Sequence, residues 1–349
     1  MAFGKILKLS AISTALFLAG CGGGDIVINT STGTTTPTNP TNPTNPTTPT
    51  SKCPSFAKEG AAVGGISKTI CEVSGTLTAD ATFTSGIVWA LSGKVQVGND
   101  NANSATLTIE PGTMLFGKSG ADYLVIARGS KIQAVGTAAA PIIMTSVNDM
   151  LGLSDDESTA EWGGLVLLGN APSNKCDQAD LANCQVAAEG DAGNYGGANW
   201  EDNSGVLNYV VVKHAGFEVI PDNELNGITF AGVGSGTECS NIQVHQNVDD
   251  GIEMFGGALS CKNVVLTANG DDSVDWADGW RGKLQFVLVK HAADNAKANR
   301  GIEGDNQSGD FTALPLSNPM IANMTIIGNS FDGDDDSEGL LLRAGTNAQ

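Results

Sequence analysis

The stretch NIQVHQNVDDGIEMFGG at residues 241–257 is followed, 22 residues further on, by the similar stretch NVVLTANGDDSVDWADG at residues 263–279. In a solenoid, equivalent residues of adjacent stacked strands lie only about 4.8 Å apart. If each stretch forms one coil, three pairs of carboxylates become neighbours in space: Asp249 with Asp271, Asp250 with Asp272, and Glu253 with Asp275. The repeat therefore predicts a column of acidic side chains.

The same frame recurs as short strands with alternating side chains. The first strands of the coils are LNYVVVKHAG (207–216), SNIQVHQNV (240–248), KNVVLTANG (262–270), LQFVLVKHA (284–292) and ANMTIIGNS (322–330). A second short strand follows each of them: GITF (227–230), GIEMF (251–255), SVDW (273–276), GIEG (301–304) and GLLL (339–342). Variable turns between strands of constant register are typical of a solenoid that accepts insertions. The pattern predicts an all-β fold, a right-handed parallel β-helix; the alternative is an antiparallel β-sandwich, which would not keep a 22-residue register.

Several segments carry a resemblance to a known family. They are LTIEPGT (107–113), WGGLVLLGNAP (162–172), DDGIEMFGG (249–257) and GDDSVDWADGWRGKLQF (270–286), and they resemble segments of bacterial cell-surface lipoproteins with right-handed β-helix repeats. The resemblance covers roughly residues 70–345. It implies a location and an architecture, and because that family has no established activity, it leaves the function open.

The first 20 residues have the pattern of a bacterial lipoprotein signal peptide. Lys5 and Lys8 precede a short apolar run at residues 11–18, which is too short to span a membrane. The following Leu-Ala-Gly-Cys resembles a lipobox, so Cys21 is the expected site of lipidation, and by the same resemblance Gly22 favours the outer membrane. We therefore expect a lipid-anchored protein at the outer membrane, on the cell surface.

The rest of the chain divides into two parts. Residues 21–52 are rich in Thr, Pro and Asn, have little to bury, and predict a disordered stalk. Residues 53–349 are expected to form the β-helix domain. Its last stretch, GLLLRAGTNAQ (339–349), shows no polar capping coil, and we expect the chain to be a fragment of a longer protein.

Charge and cysteine content narrow the possible partners and the compartment. The chain has a net charge of −20, which disfavours nucleic acid and anionic lipid as partners and leaves the lipid anchor as the expected membrane contact. Six of the seven cysteines follow Cys21, an even number that predicts three disulfides in a secreted protein. The expected pairs are Cys239 with Cys261, Cys176 with Cys184, and Cys53 with Cys71.

The acidic column is the candidate site. In the second strands the apolar residues alternate with acids, so Glu253, Asp275 and Glu303 should point away from the core towards solvent. Arg300 is an expected counter-charge, with Arg281 or Lys283 as a second one. Calcium is the cation that suits clustered carboxylates, and the candidate ligands are Asp249, Asp250, Glu253, Asp271, Asp272, Asp275 and Glu303. A solvated acidic face without a metal is the alternative.

The turns that end the first strands suggest a structural ladder. His214, Asn247, Asn269, His291 and Asn329 occupy equivalent positions in the alignment, and stacked amides of this kind bond to one another and to the backbone. This interpretation makes both histidines structural. It gives them a role in packing rather than in catalysis.

The sequence favours adhesion, or interaction with a surface, glycan or matrix, because no nucleophile or cofactor motif stands out and we assign no catalytic residue. Four tryptophans near turns offer aromatic faces for a sugar: Trp162, Trp200, Trp276 and Trp280. The alternative is a polysaccharide-active enzyme, a glycoside hydrolase or lyase. It would use the residues Asp250, Asp271, Asp272 and His291, which resemble the site of β-helix polygalacturonases in order and spacing.

Overall fold

The structure is a computed structural model that describes residues 52–221, 223–292, 300–329 and 338–349. The predicted signal peptide, the lipidation site Cys21 and almost all of the stalk lie outside these ranges. In the described ranges, no helix is long and apolar enough to cross a membrane.

The regular secondary structure of the described residues consists almost entirely of β-strands. The strands of its first half are β1 (Lys58–Glu59), β2 (Ile70–Leu77), β3 (Ala81–Phe83), β4 (Val88–Val97), β5 (Thr106–Ile109), β6 (Met114–Gly117), β7 (Tyr123–Ile126), β8 (Lys131–Val135), β9 (Ile142–Ser146), β10 (Gly164–Leu168), β11 (Val186–Ala187) and β12 (Asn194–Tyr195). The strands of its second half are β13 (Gly205–Lys213), β14 (Glu218–Ile220), β15 (Asn223–Glu224), β16 (Ile228–Ala231), β17 (Glu238–His245), β18 (Ile252–Phe255), β19 (Ser260–Thr267), β20 (Val274–Ala277), β21 (Lys283–Lys290), β22 (Ile302–Gly304), β23 (Met320–Ile327) and β24 (Leu340–Leu342). The helices are α1 (Val147–Met150) and two 3-10 turns, Leu181–Asn183 and Glu189–Asp191.

Parallel pairing between successive coils organises these strands into three faces. The first face stacks the end of β4 on β7, β10, β16, β18, β20, β22 and β24. The second face stacks β3, β5, β8 and the first halves of β13, β17, β19, β21 and β23. The third face stacks β2, the start of β4, β6, β9 and the second halves of the same long strands. The fold is a parallel β-helix, which confirms the predicted fold class and excludes the β-sandwich.

The core forms because alternate side chains of every strand point to the axis of the helix. In β17, for example, Cys239, Ile242 and Val244 are buried while the residues between them are more exposed. Burying a large aliphatic side chain contributes roughly 1.5–3 kcal/mol relative to leaving it exposed. Stacked coils thus share one continuous core, and a coil alone could not bury its apolar side.

The 22-residue register is confirmed where the sequence showed it most clearly. Glu253 pairs with Asp275, and Cys239 pairs with Cys261, on adjacent parallel strands. All three expected disulfides are present, with Cα–Cα distances of 4.6 Å for Cys239–Cys261, 5.4 Å for Cys176–Cys184 and 5.6 Å for Cys53–Cys71.

The predicted turn ladder is wrong at its two histidines. Lys213 pairs with His245, and Thr267 pairs with Lys290, so His214 stacks on Gln246 and His291 stacks on Ala268. Both histidines therefore lie one position before the asparagine column. A one-residue slip would have turned every inward side chain of these strands outwards, so burial of the core fixed the register and overrode the match of polar turn residues.

The disulfides should stabilise the fold more strongly when they close a longer loop, with a logarithmic dependence on loop length. Replacing Cys239 and Cys261 by serine opens a 22-residue loop, and we expect the free energy of unfolding to fall by about 3 kcal/mol. The matched pair Cys176→Ser, Cys184→Ser opens an 8-residue loop, and its loss should be about 1 kcal/mol smaller. Denaturant titration of both variants measures the difference, and an equal or reversed order would contradict the loop-length argument.

Candidate functional site

The predicted acidic column exists on the outer side of the first face. Glu253 of β18 pairs with Asp275 of β20, which pairs with Glu303 of β22. The turns before these strands stack in the same way, because the backbone N–H of Asp272 donates to Oδ1 of Asp250 at 2.9 Å. The residues two and three positions before β18 and β20 therefore bring four further carboxylates beside the column, whereas Arg300 occupies the equivalent position before β22.

The column points away from the core as expected, but it is less exposed than a stripe facing open solvent would be. Only 8% of Glu253 and 7% of Glu303 is exposed, and Asp275 between them is half-buried. The side chains do point away from the core, but a second layer of chain covers part of this face. Outward orientation on a strand follows from the sequence pattern, whereas exposure depends on what packs above the strand.

The covering layer comes from the long insertion between β10 and β13 and from the β14–β15 hairpin. Tyr195 of the insertion and Leu225, just after the hairpin, pack on outward apolar residues of the first face such as Val166 and Phe255. The Tyr195 hydroxyl also donates to Oδ2 of Asp278 at 2.7 Å. A small apolar cluster outside the main core therefore fixes the layer beside the acidic column.

This layer adds polar groups that the sequence analysis missed. Glu189 comes from the insertion, and Asn226 connects it to the column, because its Nδ2 donates to Oε2 of Glu253 at 2.7 Å and to Oε2 of Glu189 at 3.2 Å. The result is a cleft of about 450 Å³. Its lining consists of Glu189, Asn223, Glu224, Asp249, Asp250, Glu253, Asp271, Asp272, Asp275, Arg300, Glu303 and Arg343.

Two arginines oppose nine carboxylates in this lining. Nη1 of Arg300 lies 2.6 Å from Oε2 of Glu303 and 3.9 Å from Oδ2 of Asp272, so its predicted role as a counter-charge is confirmed. The second arginine is Arg343, which contacts Glu303 and lies 2.9 Å from Asp305. Arg281 and Lys283, the expected second partners, are not part of the lining.

Seven carboxyl groups of the cleft have a raised pKa: Glu189, Asp249, Asp250, Glu253, Asp272, Asp275 and Glu303. Burial, followed by the charge of Asp271, raises the pKa of Asp249 to about 7 and that of Asp272 to about 8. Burial and the charge of Asp249 raise the pKa of Glu189 to about 7. For Asp250 and Glu253, burial and neighbouring carboxylates raise the pKa well above its ordinary value. The cleft thus accumulates negative charge only at a considerable cost in free energy, unless a cation enters.

The oxygens are spaced as the ligands of metal ions are. Three groups each offer one oxygen per residue within 4.8 Å of the others: Asp249, Asp250 and Asp271; Asp250, Glu253 and Asp275; and Asp272, Asp275 and Glu303. Oδ1 of Asp272 and Oδ1 of Asp275 are buried without a hydrogen-bond partner in the described structure. A buried acceptor without a donor is costly, and a hard cation would supply the missing interaction.

Comparison with known protein families agrees with this architecture. A family model described as a pectate-lyase-like beta helix domain matches residues 75–349. The chain belongs to this family. No curated protein and no solved structure matches it.

Other candidate residues of this pectate-lyase-like β-helix lie outside the cleft. His291 does not line it, and burial lowers the pKa of its imidazole, which bonds to the backbone of Arg300. Trp162, Trp276 and Trp280 are almost completely buried and pack in the core, whereas Trp200 remains 36% exposed. The structure therefore brings together the seven predicted metal ligands and separates them from the histidine and the tryptophans.

The raised pKa values predict an unusual pH dependence of stability. A carboxyl group whose pKa is raised on folding binds its proton more tightly in the folded state, so its stabilising contribution is present at low pH and is lost as the pH rises through the folded pKa. In the presence of a chelator, we expect Tm to fall as the pH rises from about 4 through the raised pKa values of Asp249 and Asp272, about 7 and about 8. Differential scanning calorimetry across this range measures it, and a Tm that rises with pH throughout the range would contradict the prediction.

Proposed function

We propose that this protein is a calcium-binding β-helix that is presented at the cell surface for adhesion or for interaction with a surface or glycan. The observation that carries the proposal is the cleft in which nine carboxylates meet two arginines, with buried oxygens of Asp272 and Asp275 that lack a hydrogen-bond donor. Membership of the pectate-lyase-like family fits a polysaccharide-related β-helix protein.

Electrostatics supports a bound cation. Two unit charges about 4 to 5 Å apart repel by roughly 3 to 4 kcal/mol at an effective dielectric constant near 20. The three carboxylate groups share Asp250 and Asp275, so the repulsion accumulates along the column. A divalent ion between the members of each group would turn this repulsion into attraction.

The ligand chemistry supports calcium over other metals. The lining offers carboxylates and one amide but neither histidine nor cysteine, the ligands that zinc and copper prefer. Calcium accepts about six to eight oxygen ligands in loose geometry, whereas magnesium requires near-octahedral geometry and keeps several waters. The ligands also come from adjacent coils and from the covering insertion, so a calcium ion at this site would hold the coils and the cover together.

The enzyme alternative has less support. Family membership and the protonated carboxyl groups are compatible with acid–base chemistry on a polysaccharide. Hydrolases with two catalytic carboxyl groups, however, hold these groups about 5 to 9.5 Å apart, whereas inside each of the three carboxylate groups the oxygens lie within 4.8 Å of one another. Two further observations favour cation binding: the number of acids in the lining, and the position of His291 outside it.

We propose that the protein reaches the cell surface through a lipid at Cys21. The sequence of residues 1–20 supports a lipoprotein signal peptide, and the Thr, Pro and Asn of residues 21–52 support an extended stalk. Such a stalk would carry the β-helix away from the outer membrane and make its faces accessible to external ligands.

Calcium binding is tested by the double variant Asp250→Asn, Asp275→Asn, which alters all three carboxylate groups. After chelation, calcium should bind the unaltered protein with measurable heat and raise its Tm, and the variant should lose both effects. Because the variant also removes repulsion, its Tm without calcium should exceed that of the unaltered protein, which distinguishes loss of binding from misfolding. Isothermal titration calorimetry measures the heat, and calorimetric unfolding measures the Tm.

The control is the variant Asp156→Asn, Glu201→Gln, which removes the same charge from two exposed positions. It should bind calcium as the unaltered protein does. If calcium gives no heat and no rise in Tm with the unaltered protein, the proposed cation site is wrong.

Anchoring is tested separately by the substitution Cys21→Ser. Without the thiol no lipid can be attached, so we expect the protein to move from the membrane fraction to the soluble fraction of the producing cells. Metabolic labelling with a radioactive fatty acid should mark the unaltered protein only. Unchanged membrane association of a protein that carries no label would contradict the proposed anchor.

A further inference from the structure

The outward side chains of the second and third faces differ in charge from those of the first face, which include the acidic column. Among the outward residues of β13, β17, β19, β21 and β23 there are four lysines, Lys213, Lys262, Lys283 and Lys290, and one carboxylate, Glu238. Lys213 is paired with Asp149 at 2.6 Å. The other three lysines are exposed and make no ion pair within the described ranges. In a chain with a net charge of −20, this is a local concentration of unpaired positive charge.

A column of residues in left-handed conformation forms the corner between these two faces. The residues are Tyr209, Asn241, Asn263, Phe286 and Asn323, with φ between 50° and 59°. Asparagine suits this position because it tolerates positive φ and its amide can bond to the next coil. Nδ2 of Asn263 donates to Oδ1 of Asn241 at 3.0 Å, and Nδ2 of Asn241 donates to Oδ1 of Asn208 at 2.7 Å. We call this column the asparagine corner.

Two aromatic residues interrupt the asparagine corner. A bulky side chain at positive φ is strained, and Phe286, with a φ of 59°, is in addition 52% exposed. Phe286 therefore makes no side-chain amide hydrogen bond along the corner, and its ring is not fully buried. Strained residues of this kind occur preferentially at functional sites, where the strain is retained because the side chain has another role.

The asparagine corner lies in a groove that has room for a ligand. The groove, of about 640 Å³, is lined among others by Tyr209, Asn263, Phe286 and Leu288. A second groove, of about 430 Å³, lies on the neighbouring residues of β17, β19 and β21, and its charged lining residues are Lys262, Lys283 and Glu238. The two grooves combine exposed aromatic and amide groups with unpaired lysines along successive coils.

We propose that the asparagine corner binds a chain of acidic polysaccharide. Lys262 and Lys283, with Lys290 on the other side of the corner, pair with carboxylate or sulfate groups of the polymer. Phe286 packs on the face of a sugar ring, and exposed amides such as that of Asn263 bond to hydroxyl groups. Charge complementarity selects an anionic polymer, and three lysines suit its sparse charges better than the dense phosphates of nucleic acid. This site is separate from the acidic cleft and does not depend on calcium.

The first test measures binding of the purified full-length protein to alginate in the presence of a chelator, so that calcium cannot bridge the polymer to the acidic cleft. Alginate should bind and neutral dextran should not. The double variant Lys262→Gln, Lys283→Gln should raise the dissociation constant about three- to tenfold, as the loss of two surface charge contacts predicts. The control Lys52→Gln, Lys68→Gln alters two exposed lysines outside the corner and should leave the constant unchanged.

The second test uses Phe286→Asn, which restores asparagine to the corner. We expect Tm to stay the same or rise, because strain is relieved, while the affinity for alginate falls. The background variant Asp250→Asn, Asp275→Asn should still bind alginate, which keeps this result independent of the proposed calcium site.

Four outcomes would overturn the proposal. The first is that the unaltered protein does not bind alginate, and the second is that the Lys52→Gln, Lys68→Gln control loses as much affinity as the Lys262→Gln, Lys283→Gln variant. The third is a fall in the Tm of Phe286→Asn, which would show a purely structural role. The fourth is that single-stranded DNA binds as tightly as alginate. The last outcome would mean that the corner recognises any polyanion.

Discussion

The structure depends on the hydrogen-bonded register between successive coils. Parallel strands hold equivalent residues about 4.8 Å apart, so any residue type that recurs in the repeat becomes a column. Apolar columns form the core, and the pair Cys239–Cys261 becomes a disulfide with a Cα–Cα distance of 4.6 Å. The same constraint forces Glu253, Asp275 and Glu303 together, although their charges repel. Backbone pairing and core burial thus provide the free energy that holds the acids in place.

Each face of the β-helix has its own surface chemistry because each strand presents only its outward residues. The first face carries the carboxylates and is partly covered by the insertion before β13, so the covered acids acquire raised pKa values. The later coils of the second and third faces carry exposed lysines, amides and the exposed Phe286. On the third face, α1 covers earlier strands, where Val147 and Met150 pack on a cluster that includes Phe116. A protein that is strongly acidic overall can therefore offer an external anion a favourable surface. The two proposed sites use opposite charges on different faces of one solenoid.

Insertions turn a regular fold into a specific site. Glu189 lies far from the column in sequence but lines the same cleft, and the hydrogen bonds of Asn226 connect it to Glu253. Tyr195 and Leu225 fix this arrangement by packing on the outside of the strands. The repeats place the acids, and the insertion converts an exposed stripe into an enclosed cleft where a cation would be only partly shielded by water.

The sequence by itself determined the parallel β-helix, the 22-residue register, the three disulfides and the carboxylates of the column. The fold, the register, the column and the Cys239–Cys261 pair follow from local alternation and from repetition, whereas the pairs Cys176–Cys184 and Cys53–Cys71 follow only from proximity in the sequence. It misplaced His214 and His291 by one position because polar turn residues were matched, while the alternation of buried valines decides the register. Only the tertiary structure decided that the column lies in a partly covered cleft, that Glu189 and Arg343 belong to this cleft, and that Phe286 is exposed at a strained corner. These properties arise from contacts between segments that are distant in sequence, and no local pattern encodes what packs above a strand.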